Sequence, residues 1–147
     1  MKDLLADRVA VVTGSGRGIG AAIARRLAEY GAKVVLTDIN AEGIEELEKD
    51  LVVKGYEAKS IVFNVADFDN IPKQVERIHA LFGSIDIWVN NAGITESAAI
   101  ESITEQQWDR MQDINLKSVF FCSQAVFKIM KEQRYGRLVH ISSMAGE

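Results

Sequence analysis

Four glycines fall within the seven residues from 14 to 20, in Thr13-Gly14-Ser15-Gly16-Arg17-Gly18-Ile19-Gly20. Glycine lets a backbone turn sharply and approach a ligand closely. A helix opening at such a turn offers unpaired N–H groups and the positive end of its dipole to an anion. The chemistry implied is capture of a phosphate or pyrophosphate. No Gly-Lys-Ser/Thr follows, so the turn is not a mononucleotide P-loop. Ile19 stands where the last glycine of G-x-G-x-x-G would fall, so the spacing is Gly14-x-x-x-Gly18-x-Gly20. A plain strand-to-helix turn needs fewer glycines, since each costs chain entropy on folding.

Asp38 lies 18 residues beyond Gly20. At the end of the next strand, a carboxylate can accept hydrogen bonds from the two hydroxyls of an adenosine ribose and would repel a 2′-phosphate. This favours NAD. Arg17, in the turn itself, is the opposing signal and keeps NADP open. A turn or helix-cap role is the plainer alternative for Asp38, although Asn40 could fill that role instead. After a later strand comes Asn90-Asn91-Ala92-Gly93, where small residues permit close backbone approach.

The elements that must position these residues alternate along the chain. The apolar, β-branched runs 9–12, 33–37, 58–63, 85–89 and 137–142 read as strands. Between them, 19–30, with Ile19, Ala22, Ile23 and Leu27 as its apolar stripe, 41–54, with Ile44, Leu47 and Leu51, and 69–82 read as helices. A Thr104-Glu105-Gln106-Gln107 capping box opens a long helix to about Arg134. Strands apolar throughout and separated by helices imply an α/β fold, a doubly wound parallel sheet of five strands covered on both faces. Ligands of such sheets bind beyond the carboxyl ends of the strands.

Composition bounds the remaining classes. The 147 residues are 48% hydrophobic and 26% charged, with a net charge of −4. The length suits one domain, 1–147, able to bury roughly 68–70% of its unfolded surface. No basic stripe suits nucleic acid, and no apolar run is long enough to span a bilayer. The first residues carry acids where a signal peptide would be basic and then apolar, which reads as a cytoplasmic protein. The single cysteine, Cys122, excludes an internal disulfide, and two isolated histidines, His79 and His140, make no metal site. Both histidines read as structural or solvated. Cys122 reads as a small buried apolar residue.

Taken together, the motifs resemble the short-chain dehydrogenase/reductase family, with its Rossmann fold. The likeness rests on the Thr13–Gly20 turn, Asn90-Asn91-Ala92-Gly93, Asn115 within Asp113-Ile114-Asn115-Leu116, and Ser143 within Ile141-Ser142-Ser143. It implies hydride transfer between a nicotinamide cofactor, NAD or NADP, and a secondary alcohol or ketone. It also implies a homo-oligomer, dimer or tetramer, built on the long helix. Gly14, Ser15, Arg17, Gly18, Ile19, Gly20, Asp38, Asn64, Val65, Asn91, Ala92 and Gly93 would hold the cofactor. Asn64 stands where the family often has an adenine-binding aspartate. An amide can still accept and donate there.

Asn115 and Ser143 would be catalytic. In the family the asparagine's backbone holds a water in a proton relay, and the serine orients the substrate carbonyl. By position alone, Asn115 falls on the face of Trp108 and Met111 and reads equally well as a satisfied core asparagine. Ser142 is the alternative to Ser143. The family's catalytic Tyr-x-x-x-Lys has no counterpart, because Tyr30, Tyr56 and Tyr135 are followed at the fourth position by Val34, Ser60 and Val139. The chain therefore reads as the cofactor-binding portion of a longer enzyme, inactive alone. Its fifth strand would be left as an exposed edge that favours association. A non-catalytic dinucleotide-binding module, or an inactive fragment, is the alternative.

Overall fold

The computed structural model describes residues 3–143. Strand β1 (Val9–Thr13) is buried along its whole length, and the alternation of its side chains builds two cores. Val9 and Val11 point to one face, with Val35 and Trp88. Ala10 and Val12 point to the other, with Val34, Leu36, Ile87 and Val89. The remaining strands are β2 (Lys33–Asp38), β3 (Ala58–Val62), β4 (Ile87–Asn90) and β5 (Arg137–His140). All pair in parallel, in the order β3-β2-β1-β4-β5. Chain direction along the sheet reverses between β1 and β4, which opens a crevice at their carboxyl ends. The expected doubly wound five-stranded sheet is therefore observed.

Helices α1 (Gly18–Glu29) and α2 (Ala41–Val53) cover one face. Helices α3 (Ile71–Phe82) and α5 (Ser118–Gln133) cover the other, and the short α4 (Glu105–Gln112) leads into α5. Asp86 joins the amino ends of β1 and β4. Its buried carboxylate accepts the Val9 N–H at 2.9 Å and pairs with Arg8 at 3.1 Å. Cys122 is fully buried, and burial pushes its thiol up to about 12. Among the described residues no helix is long and apolar enough to cross a membrane.

Three local expectations are corrected. The buried face of α1 is Gly20, Ala24 and Ala28, whereas Ile19 is 67% exposed and Ala22 is exposed. Small residues at the contact let the helix sit close to the sheet, and its first turn is aimed along the glycine turn. The third helix starts later than expected, after a 3₁₀ turn at Phe68–Asn70. The long helix is interrupted by a π-helical turn at Asp113–Lys117. Such a turn adds a residue and shifts the facing of everything before it. Trp108 is 59% exposed and Asn115 is exposed, so the pair shares no buried stripe. The Thr104 capping box does form, with Thr104 Oγ1 accepting the Gln107 N–H at 3.2 Å and Gln107 Oε1 accepting the Thr104 N–H at 2.9 Å.

Candidate functional site

The glycine turn leaves β1 through two left-handed residues, Gly14 (φ 62°) and Gly18 (φ 55°), a conformation that penalises any residue with a Cβ. A Cβ on Gly14 would also lie 2.8 Å from the Ala92 Cα. One on Gly20 would collide with the Gly14 carbonyl and lie 2.5 Å from Asn91 Nδ2. The turn is thus packed backbone to backbone against the segment that follows β4.

Thr13 fastens the two segments. Its hydroxyl accepts the Asn91 and Ala92 N–H groups, each at 3.0 Å, and donates to the Val89 carbonyl at 3.3 Å. Asn91 returns the contact, with Nδ2 donating to the Thr13 and Gly14 carbonyls at 3.0 and 3.1 Å. Thr13→Val keeps the shape and removes the hydroxyl. Two N–H groups then lose their acceptor, and the expected cost is about 1–3 kcal/mol in chemical denaturation. A loss under a few tenths of that would show the hydroxyl to be dispensable.

The turn is docked on β2 from its other side. Ser15 is fully buried. Its N–H donates to the Thr37 carbonyl at 3.0 Å, and its Oγ accepts the Thr37 N–H at 2.9 Å. Asp38, at the end of β2, accepts the Gly16 N–H on Oδ2 at 2.9 Å and the Asn40 N–H on Oδ1 at 3.0 Å. Asn40 occupies the cap position of α2, yet makes no side-chain cap bond. Asp38 is thereby held in one orientation, while Arg17 is exposed at the rim.

These segments enclose a cleft of about 360 Å³. It is lined by Gly14, Arg17, Gly18, Ile19, Gly20, Asp38, Asn64, Val65, Asn91, Ala92 and Gly93. Of the twelve cofactor candidates only Ser15 is absent from the lining; its hydroxyl is engaged with Thr37. Ile39, Phe63, Ile94 and Ile114 also line the cleft and were missed by the sequence reading. They are apolar residues flanking the motifs, with nothing in their type to mark them. Asn64 forms a local turn, its Oδ1 accepting the Ala66 N–H at 3.0 Å.

Asn115 touches the rim of the cleft through Ile94. Its Oδ1 accepts the Ile94 N–H at 2.8 Å and its Nδ2 donates to the Ile94 carbonyl at 2.9 Å. The side chain clamps the segment after β4 to the π-helical turn. Within that turn the Ile114 carbonyl accepts the Ser118 hydroxyl at 2.6 Å. Ser143 lies three residues past the end of β5, is exposed, and is not part of the cleft lining.

His140 has a partner that the sequence did not reveal. Asn90 is buried at the end of β4. Its Oδ1 accepts the Trp88 indole N–H at 2.9 Å, and its Nδ2 donates to Ser123 at 3.1 Å and faces His140 Nδ1 at 3.0 Å. An indole N–H only donates, which fixes the amide orientation and makes His140 Nδ1 the acceptor. Trp88, Asn90 and His140 thereby tie β4 to β5 just before Ser143.

The family model for short chain dehydrogenases matches residues 8–147. The chain is 40% identical over 138 residues to gluconate 5-dehydrogenase of Gluconobacter oxydans, covering 94% of this chain and 54% of that protein. It is 40% identical over 139 residues to the 3-oxoacyl-[acyl-carrier-protein] reductase FabG of Escherichia coli, covering 95% and 56%. Among solved structures, a gluconate 5-dehydrogenase from Burkholderia cenocepacia, in complex with NADP and tartrate, superposes with a TM-score of 0.92 at 37% identity over 99% of this chain and 57% of that one. The chain thus spans about half the length of the curated relatives it matches. With the motifs in order, the fold shared and the family model matched from residue 8 onward, this chain belongs to the short-chain dehydrogenase family.

Proposed function

We propose that the cleft holds a nicotinamide dinucleotide, with NAD preferred over NADP, and that the chain is the cofactor-binding part of an oxidoreductase acting between a secondary alcohol and a ketone. The observation that carries this reading is the pinned Asp38 carboxylate beside a left-handed glycine turn at the amino end of α1. The fit to the cofactor rests on the turn itself. Gly14, Gly18 and Gly20 line the cleft, the place of a Cβ on Gly18 is open space, and the first N–H groups of α1 stand at this turn.

In this reading the turn and the α1 terminus take the pyrophosphate, and Asp38 accepts the ribose hydroxyls. Asn64 and Val65 flank the adenine, and the Asn91–Gly93 backbone walls the crevice. When bound, the nicotinamide supplies the hydride acceptor or donor. Asn115 acts by holding Ile94, and with it the loop beside the reacting end. Ser143 orients the substrate oxygen. Assembly as a dimer or tetramer uses the helix that exposes Leu116, Phe120 and Phe127. The Burkholderia relative was solved with NADP, and Arg17 is the residue here that could meet a 2′-phosphate. Asp38 outweighs it, because a carboxylate fixed by two N–H groups cannot swing away from that phosphate.

Thermal unfolding with each dinucleotide tests the reading. NAD at 100 times its dissociation constant adds about 2.7 kcal/mol. For a chain of this size that raises Tm by about 5–10 °C. NADP at equal concentration is expected to give a smaller shift. No shift with either would overturn the assignment, and a larger shift with NADP would overturn the preference.

A further inference from the structure

We propose that Gly43, in the first turn of α2, is a positioning residue that seats Asp38 and so sets the choice between NAD and NADP. The inference rests on the dinucleotide reading above. A Cβ on Gly43 would lie 2.7 Å from the Gly16 carbonyl oxygen and 3.2 Å from the Gly16 carbonyl carbon and Cα. All three are backbone atoms, so no side-chain rotation relieves the contact. Gly16 also meets Asp38. Its N–H donates to Oδ2 at 2.9 Å, and a Cβ on Gly16 would lie 3.0 Å from the same oxygen.

The Gly16 backbone therefore meets both α2, through its carbonyl, and the Asp38 carboxylate, through its N–H. The backbone of Gly43 is not in the left-handed region, so conformation does not demand glycine there. Helix propensity disfavours it relative to alanine. What requires glycine is the approach of α2 to the turn. A side chain at 43 displaces Gly16, loosens its N–H from Asp38, and leaves the carboxylate free to turn. NAD relies on that carboxylate for its ribose hydroxyls. A 2′-phosphate gains from its departure.

The test is Gly43→Ala with titration calorimetry of NAD⁺ and NADP⁺, beside Glu46→Gly, which weakens α2 on its exposed face without touching Gly16. NAD⁺ affinity of Gly43→Ala is expected to fall about tenfold, as for a weakened charge-assisted hydrogen bond, while NADP⁺ affinity holds or rises. Glu46→Gly is expected to keep the wild-type ratio. Amide exchange of Gly16 should quicken in Gly43→Ala without any ligand. An unchanged NAD⁺/NADP⁺ ratio, an equal loss of both, or unchanged Gly16 exchange would overturn the role of Gly43 and leave the dinucleotide reading standing. Wild-type protein that binds neither would overturn that reading and this one with it. Should Gly43→Ala fail to fold, exchange in the wild type decides. The Gly16 amide is expected to be better protected than those of Arg17 and Gly18, and equal exchange overturns the proposal.

Discussion

Gly20→Ala is expected to abolish dinucleotide binding while leaving a folded but weakened protein. The added methyl meets the Gly14 carbonyl and Asn91 Nδ2, both held by the Thr13–Asn91 hydrogen bonds. Neither can retreat alone, because Asn91 Nδ2 bonds the carbonyls of Thr13 and Gly14 together. Overpacking of this kind costs about 1–3 kcal/mol. The larger effect falls on the ligand. Shifting α1 away from the turn misaims the N–H groups that would meet the pyrophosphate. Loss of two charge-assisted bonds at about 1.5–3 kcal/mol each lowers affinity by at least about a hundredfold. Calorimetric titration with NAD⁺, together with thermal unfolding, reads the two effects separately. Affinity within threefold of wild type would show that the turn has slack and that the close contact is not what shapes the site.

Asp38→Ala carries the second large effect, and its sign differs between the two dinucleotides. Removing the carboxylate takes away the proposed acceptor for the ribose hydroxyls and the anchor of Gly16 and Asn40. A charge-assisted hydrogen bond at about 1.5–3 kcal/mol corresponds to a loss of about 10- to 150-fold for NAD⁺. NADP⁺ gains, because a fixed negative charge facing its 2′-phosphate is gone and Arg17 is left as the nearest charged residue of the turn. The preference is expected to invert. Double replacement with Arg17→Ala should return NADP⁺ binding toward that of NAD⁺. An NAD⁺/NADP⁺ ratio unaltered by Asp38→Ala would remove the aspartate from cofactor selection and leave it as an anchor of the turn.

Much of this site was legible because its parts are contiguous in the chain. The glycine turn, the strand before it and the helix after it occupy Val9–Glu29, and local rules alone place a glycine-rich strand-to-helix turn there. Asp38 was legible because the apolar run of β2 ends on it. The parallel sheet followed from strands apolar on both faces.

What the residues did not reveal depends on partners distant in the chain. Asn115 reads as part of an apolar stripe only if the helix is regular. The π-helical turn, whose widened hydrogen bonding no residue type announces, rotates it toward Ile94. His140 looks solitary until parallel pairing of β4 with β5 sets it opposite Asn90. The apolar residues of α1 suggested a face through Ile19 and Ile23. Close approach to the sheet selects small residues instead, so Gly20, Ala24 and Ala28 turn inward.

The order of elements, the doubly wound class, the glycine turn and the carboxylate at the end of β2 can all be read from neighbouring residues, through periodicity and backbone freedom. Which atoms of that turn meet which others depends on the folded chain. Thr13 against Asn91, Gly16 against Asp38 and Gly43, and Asn115 against Ile94 are contacts between chain segments brought together by the sheet. Close packing fixes them to a few tenths of an ångström, a precision that residue type and spacing do not carry.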